Sequence, residues 1–351
     1  MELSILIPTL NRTNFLKKIL TYYSKINLNA YVYILDSSID DIANENQILI
    51  KKINNENFKY HKIFGKSCQV QKKIMPQITT KYCVFSGDDD YFCKQGLEDT
   101  INFLNENNDF IAAHGKILHV TFENNDQNSI IDVSNYKPLG FDNCQEKSID
   151  RLIFTFKKYQ TSTFSIHRTE SYMQLMSYID ENINQIQSIE MKYENIFNDE
   201  LLPNFLSCCF GKNKFIDKLY MIRTSVFSPR DKNFFSQKKI YDYFTNKKGK
   251  ETIKKIKKIL TKEITILDKN NLFENEKIID EEINKFIKKN YLNHKKYIFL
   301  KIQNIIIYIL KKIKLYEIIK KYFKKKTYSF DIFNDKKYKD QFKIFYNFIL
   351  Y

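Results

Sequence analysis

Three consecutive carboxylates, Asp88, Asp89 and Asp90, stand directly after the apolar run Tyr82–Ser86 in the stretch VFSGDDDY. Adjacent like charges repel, and each loses hydration at the end of a buried strand. A divalent cation offsets both costs. Oxygen-only donors suit Mg²⁺ or Mn²⁺, which keep several waters and bridge to substrate phosphates. The competing reading is an acidic turn that caps a following helix and favours its dipole. Two further polar residues close apolar runs nearer the start of the chain: Thr9 after Leu3–Pro8, and Asp36 after Tyr31–Leu35.

These residues need strands to position them. Leu3–Thr9, Tyr31–Leu35, Phe58–Phe64 and Tyr82–Ser86 read as strands, and three stretches between them read as helices, over 14–25, to about residue 53, and over 66–78. A helix over 95–105 and a strand over 109–120 follow. The β-α-β-α-β-α-β alternation predicts an α/β fold with a mostly parallel, Rossmann-like sheet and helices on both faces. Ligands of such sheets bind outside the carboxyl ends of the strands. Thr9, Asp36 and Asp88–Asp90 all fall there. Residues 121–147 read as irregular, 161–167 as a strand, 174–206 as mostly helical and 220–227 as a strand. Beyond about residue 234 the chain turns Lys/Ile/Tyr-rich and helical. The expected division is 1–232 and a basic, mainly helical 233–351.

The set SILIPTLNR, YILDSS and KYCVFSGDDDYF, with STFSIHRTE and YMIRTSVFSPRD downstream, resembles family 2 glycosyltransferases of the GT-A fold, in particular a bacterial subgroup with a DDD run. The resemblance covers about residues 1–232. It implies a nucleotide-sugar glycosyltransferase acting with inversion. Thr9 and Asp36 would hold the nucleoside, and a carboxylate at Asp36 suits the N–H of uracil or guanine, favouring a UDP or GDP donor. The family's DXD motif is offset here, with Gly87 where its first Asp normally sits. The resemblance therefore assigns Asp89 to the metal, Asp90 in support and Asp88 to the ribose. It also implies an acidic pair before a helix. Glu200 fits the base that takes the acceptor proton, with Asp199 as the alternative. As a purely structural residue, Asp199 would cap that helix. The late His that often completes the metal site is missing. Arg223 and Arg230 suit a diphosphate leaving group, or equally surface ion pairs. His167 lines the acceptor side or is a core residue.

Composition bounds the rest. The chain has 351 residues, 43% of them hydrophobic, enough for one large domain or one with a smaller companion. Six cysteines without a CxxC pair read as reduced thiols of a cytoplasmic protein, and no signal peptide is expected. Residues 247–326 hold 24 Lys against nine acids, so nearly all of the +16 net charge lies there. Within 288–326 there are 13 Lys, one acid and a rough apolar stripe. That pattern suits peripheral contact with an anionic membrane on its inner face, and a glycan or lipid-linked acceptor. It suits a solvated helical cap as well. Nucleic acid is not expected, because no Arg-rich or recognisable binding module is present. A sugar nucleotidyltransferase would carry a Gly-rich loop after the first strand, and PTLNRTN has no Gly. A catalytically degenerate, membrane-associated partner protein is the non-enzyme alternative.

Overall fold

A computed structural model describes residues 1–122, 130–135, 140, 142–159, 161–178, 200–226, 241–269, 271–292, 309 and 338–350. The chain forms two compact units, Met1–Thr121 with Val133–Ser225 and Asp331–Tyr351, and Phe122–Asp132 with Val226–Phe330.

The first unit opens with the expected alternation: β1 (Leu3–Thr9), α1 (Thr13–Lys25), β2 (Tyr31–Asp36), α2 (Asp40–Ile53), β3 (Phe58–Lys62), α3 (Ser67–Ile74) and β4 (Tyr82–Phe85). β1 is buried along nearly its whole length, as a continuous apolar run in a parallel sheet demands. Then come β5 (Asp90–Phe92), α4 (Lys94–Glu106), β6 (Phe110–Phe122), β7 (Ile130–Asn135), α5 (Ser148–Lys157), β8 (Ile166–Arg168), α6 (Thr169–Ser177), α7 (Leu202–Phe210) and β9 (Lys212–Val226). The sheet order is β3-β2-β1-β4-β8-β6-β9-β5, with β7 beside β6. β3, β2, β1 and β4 run parallel. Beyond them β4 pairs antiparallel with β8, β8 with β6, and β9 with β5.

The α/β sheet thus has a parallel half and an antiparallel continuation. Three local differences from the sequence reading have physical causes. The helix expected to reach Ile78 stops at Ile74, where Pro76 opens a 3-10 turn. The strand expected from Thr161 starts only at Ile166, because side-chain and turn hydrogen bonds occupy the backbone before it: Thr163 N donates to Thr161 Oγ1 and Ser165 N to Ser162 O. β9 begins eight residues before the expected Tyr220, through the polar stretch KNKFIDK.

α10 (Lys339–Leu350) belongs to the first unit. Its Phe345 sits edge-on to Tyr22 of α1 and Tyr91 of β5, with ring centroids 6.4 and 5.1 Å apart. The second unit contains α8 (Lys247–Asp268) and α9 (Leu272–Asn290). Asn246 and Asn271 cap them by accepting from Gly249 N and Phe273 N. Lys269 takes the left-handed conformation between them, at φ 53°. Ile256, Leu260, Ile264, Ile279, Ile283 and Phe286 are buried. Lys257 pairs with Asp280 across the hairpin. Apart from Lys288–Leu292 and residue 309, the basic stripe over 288–326 lies outside the described residues. Among the described residues, no helix is long and apolar enough to cross a membrane.

His114 and His167 lie in neighbouring strands, β6 and β8, and both are buried. His167 Nε2 donates to the Ser162 carbonyl at 3.2 Å, and His114 Nδ1 meets Ser165 Oγ at 3.3 Å. Burial pushes both rings down to about 4. In the unfolded chain each takes up a proton near pH 6.5. Between those values the unfolded state binds more protons, so these residues stabilise the fold above about pH 6.5 and lose that contribution on acidification. The stability gap between wild type and His167→Phe, measured by urea denaturation, should therefore narrow by roughly 1–3 kcal/mol from about pH 7 to about pH 4. A gap that does not change with pH refutes the buried neutral ring.

Candidate functional site

The carboxyl ends of β1, β2 and β4 converge, since Thr9 pairs with Asp36 and Leu6 with Phe85 in register. Local hydrogen bonds then tie the turns together. Asn11 adopts φ 55°, a left-handed conformation Asn tolerates. Its N–H donates to Ser38 Oγ at 2.8 Å, and its side chain accepts from Ile39 N at 3.1 Å. This locked turn delivers Arg12, which starts α1, to the aspartates.

Asp88 is buried. Its Oδ2 accepts from Thr9 Oγ1 at 2.8 Å, and its Oδ1 lies 2.5 Å from Arg12 Nη1. Asp89 is partly exposed, with Oδ2 2.7 Å from Arg12 Nη2. Asp90 is buried in β5, where it pairs with Arg223 of β9, and Arg223 Nε donates to its Oδ1 at 3.0 Å. The backbone is fixed too, because Thr224 Oγ1 donates to Asp89 O at 2.7 Å. Burial, with the neighbouring carboxylates adding, pushes Asp88 and Asp90 up to about 6, while Arg12 and Thr9 on one side and Arg223 on the other pull them back.

Two carboxylate oxygens remain. Asp89 Oδ1 takes no hydrogen bond among the described residues, and Asp90 Oδ2 takes none from a side chain, with the Gly87 backbone N–H against the Asp90 carboxylate. Both border Gly87, where an added Cβ would lie 3.0 Å from the first and 2.8 Å from the second. Gly87 is not in the left-handed region, so its missing side chain is used for space. Two carboxylate oxygens meeting beside one backbone position fit a Mg²⁺ or Mn²⁺ ion, which takes oxygen donors and keeps several waters. Among the described residues no group of three or more His, Cys, Asp or Glu could hold a metal, so the described residues offer these two ligands.

Asp36 lies one strand away and is differently occupied. Its Oδ1 accepts from Ser38 N at 2.8 Å, and its Oδ2 from Asn46 Nδ2 at 2.9 Å and Tyr60 Oη at 3.0 Å. Those bonds serve the turn and α2, and leave about one of the carboxylate's four acceptor sites.

Glu200 and Arg223 line one cavity of about 350 Å³, together with Phe85, Thr161, His167 and Tyr172 among others. Tyr159 Oη donates to Glu200 Oε1 at 2.7 Å. Arg223 therefore links the aspartate turn to the cavity, and its guanidinium stacks 4.5 Å from the Phe164 centroid. Of the acidic pair and the two arginines, Asp199 and Arg230 lie outside the described residues. The sequence reading passed over Arg12, Tyr159 and Thr224, and noted Gly87 only as the offset in the DXD motif. Only Arg12 carried a signal, as a cation in the first strand's turn.

No protein-family model matches the chain, and no curated protein matches it. Among solved structures it is similar to S. aureus TarS 1–349, at 17% identity over 83% of this chain and 74% of that one, with a TM-score of 0.48. The same TarS fragment in complex with UDP matches at 17% identity, and in complex with UDP-GlcNAc at 16%, each over 83% of this chain and 74% of that one with a TM-score of 0.45.

Removing Arg12 would strand the buried Asp88 charge. Arg12→Ala should cost roughly 1–3 kcal/mol by denaturation, since the pair is buried on one side only. In an Asp88→Asn background the cost should fall by about half or more. Equal costs in the two backgrounds would show that the pair is not coupled.

Proposed function

We propose that the chain is a metal-dependent glycosyltransferase of the GT-A, family 2 type. It moves a sugar from a nucleotide donor, UDP- or GDP-linked, to a hydroxyl of a bacterial surface glycan, with inversion. The observation that carries this reading is the joint between two features. Two carboxylate oxygens without a side-chain donor of their own meet beside Gly87, and Arg223 runs from that turn into the cavity that holds Glu200.

In this reading Thr9 and Asp36 border the nucleoside, Asp36 through its remaining acceptor site, and Asp88 borders the ribose. Asp89 and Asp90 would hold Mn²⁺ or Mg²⁺. When bound, the metal supplies positive charge that stabilises the departing diphosphate. Arg223, on the cavity wall, adds fixed positive charge toward the same leaving group, with Arg230 as the second candidate. Glu200 takes the proton from the acceptor hydroxyl as it attacks the anomeric carbon, and Asp199 is the alternative. The Tyr159 hydrogen bond on Oε1 holds Glu200 while leaving Oε2 for the acceptor. The acceptor is a glycan or a lipid-linked glycan, reached at the inner face of the cytoplasmic membrane through the basic C-terminal segment.

A thermal-shift panel of UDP, GDP and CMP, each with and without Mn²⁺, tests the donor side. One nucleotide should raise the melting temperature only with metal, and Asp89→Asn should remove the effect without lowering the ligand-free melting point by much. Gly87→Ala should remove it as well, because its Cβ displaces both carboxylates. No shift for any nucleotide favours the degenerate partner protein. Glu200→Gln should keep the donor shift while transfer falls by about 10²-fold or more. An unchanged transfer rate removes Glu200 from its role.

A further inference from the structure

We infer that Arg12 is a positioning residue of this site, which turns Asp89 so that its free oxygen faces the Gly87 cradle. The inference rests on the metal-dependent reading above. Asp89 has its backbone fixed by β9, through Thr224 N and Oγ1 on its carbonyl. The freedom left to it is rotation of the side chain, and Asp89 is about a quarter exposed. Arg12 removes that freedom. Its two terminal nitrogens hold different carboxylates, Nη1 on Asp88 Oδ1 at 2.5 Å and Nη2 on Asp89 Oδ2 at 2.7 Å. A planar fork anchored on the buried Asp88 sets the angle of Asp89 in a way a point charge does not.

Arg12 is itself held. Its guanidinium lies 3.9 Å from the Phe15 ring centroid, and the preceding Asn11 is pinned to the Ser38 turn by two hydrogen bonds. The arrangement on the opposite side matches. Arg223 holds Asp90 by Oδ1 and leaves Oδ2 facing the same glycine. Each proposed ligand is thus gripped on one oxygen by an arginine from a distant part of the chain, with the other oxygen left for the ion.

The opposite role makes the opposite prediction. If Arg12 only filled an acidic cluster with positive charge, it would compete with a cation, and removing it would tighten metal binding. If it orients Asp89, removing it weakens binding, typically 10–100-fold for a group that holds a metal ligand. The experiment is a Mn²⁺ titration followed by electron paramagnetic resonance at saturating UDP. It uses the full chain as wild type, Arg12→Met, Arg12→Lys, Asp88→Asn and the Asp88→Asn/Arg12→Met double variant. The double variant removes the buried charge that Arg12→Met alone would strand, and so keeps the test open if the single variant fails to fold. The expected result is Mn²⁺ affinity about 10-fold or more weaker for the double variant than for Asp88→Asn alone, each measured at its own saturating nucleotide. Arg12→Lys, with charge but no fork, should fall between wild type and Arg12→Met. Unchanged or tighter binding in the double variant overturns the role of Arg12 and leaves the metal site standing. A wild type that takes up no Mn²⁺ at any concentration of UDP or of GDP overturns the metal-dependent reading, and the role of Arg12 with it.

Discussion

Three adjacent carboxylates, two of them buried, require cations at fixed places, and the fold is arranged to bring two. Arg12 comes from the turn after β1 and Arg223 from β9, sequence separations of 77 and 133 residues from their partners. Neither can arrive by local structure alone. β1 must lie beside β4 to bring Arg12, and β9 beside β5 to bring Arg223. The sheet order is set accordingly. β4 stands in the middle of the order and β5 at its end, yet only residues 86–89 separate them. A flat sheet would put them about 19 Å apart, four strand spacings. The linking chain could cover that only if fully extended, and instead it turns, with Asp90 N directed at Gly87 O. The sheet must therefore curl, and the aspartate turn is where it does so.

The same constraint explains what could be read from the sequence. The parallel half was legible because its strands are buried apolar runs that end abruptly in polar residues, and β1, β2 and β4 stop within a residue or so of where the runs stop. The location of the candidate site was read from those ends. The antiparallel half was less legible. β5 is three residues long and begins with the charged Asp90, so no period-2 pattern announces it. The start of β9 is equally hidden, because Lys212 and Lys214 carry salt bridges to acids elsewhere rather than an apolar face. Strand propensity responds to burial, and these residues are placed by ion pairs. Arg12 escaped notice for a related reason, since a cation in a polar turn has no periodicity and its partners lie far along the chain.

Asp36 and Asp89 show why residue type and position do not fix what a carboxylate does. Both stand at the carboxyl ends of neighbouring parallel strands, where a sequence reading treats them alike. Asp36 is fully buried and receives three hydrogen bonds across its two oxygens. Each donor costs little to keep and much to lose, since an unmatched partner left in that pocket would carry the whole desolvation penalty. Its geometry is spent on joining β2 to α2 and β3. Asp89 receives donors on one side-chain oxygen and keeps the other open. An open, oriented carboxylate oxygen beside a second one is unfavourable in the free protein, because the charges repel without a cation between them. The arginines restrain this repulsion from behind without filling the gap in front. Any side chain at position 87 would press on both oxygens, so the glycine lets the two carboxylates meet there, as the proposed metal site requires.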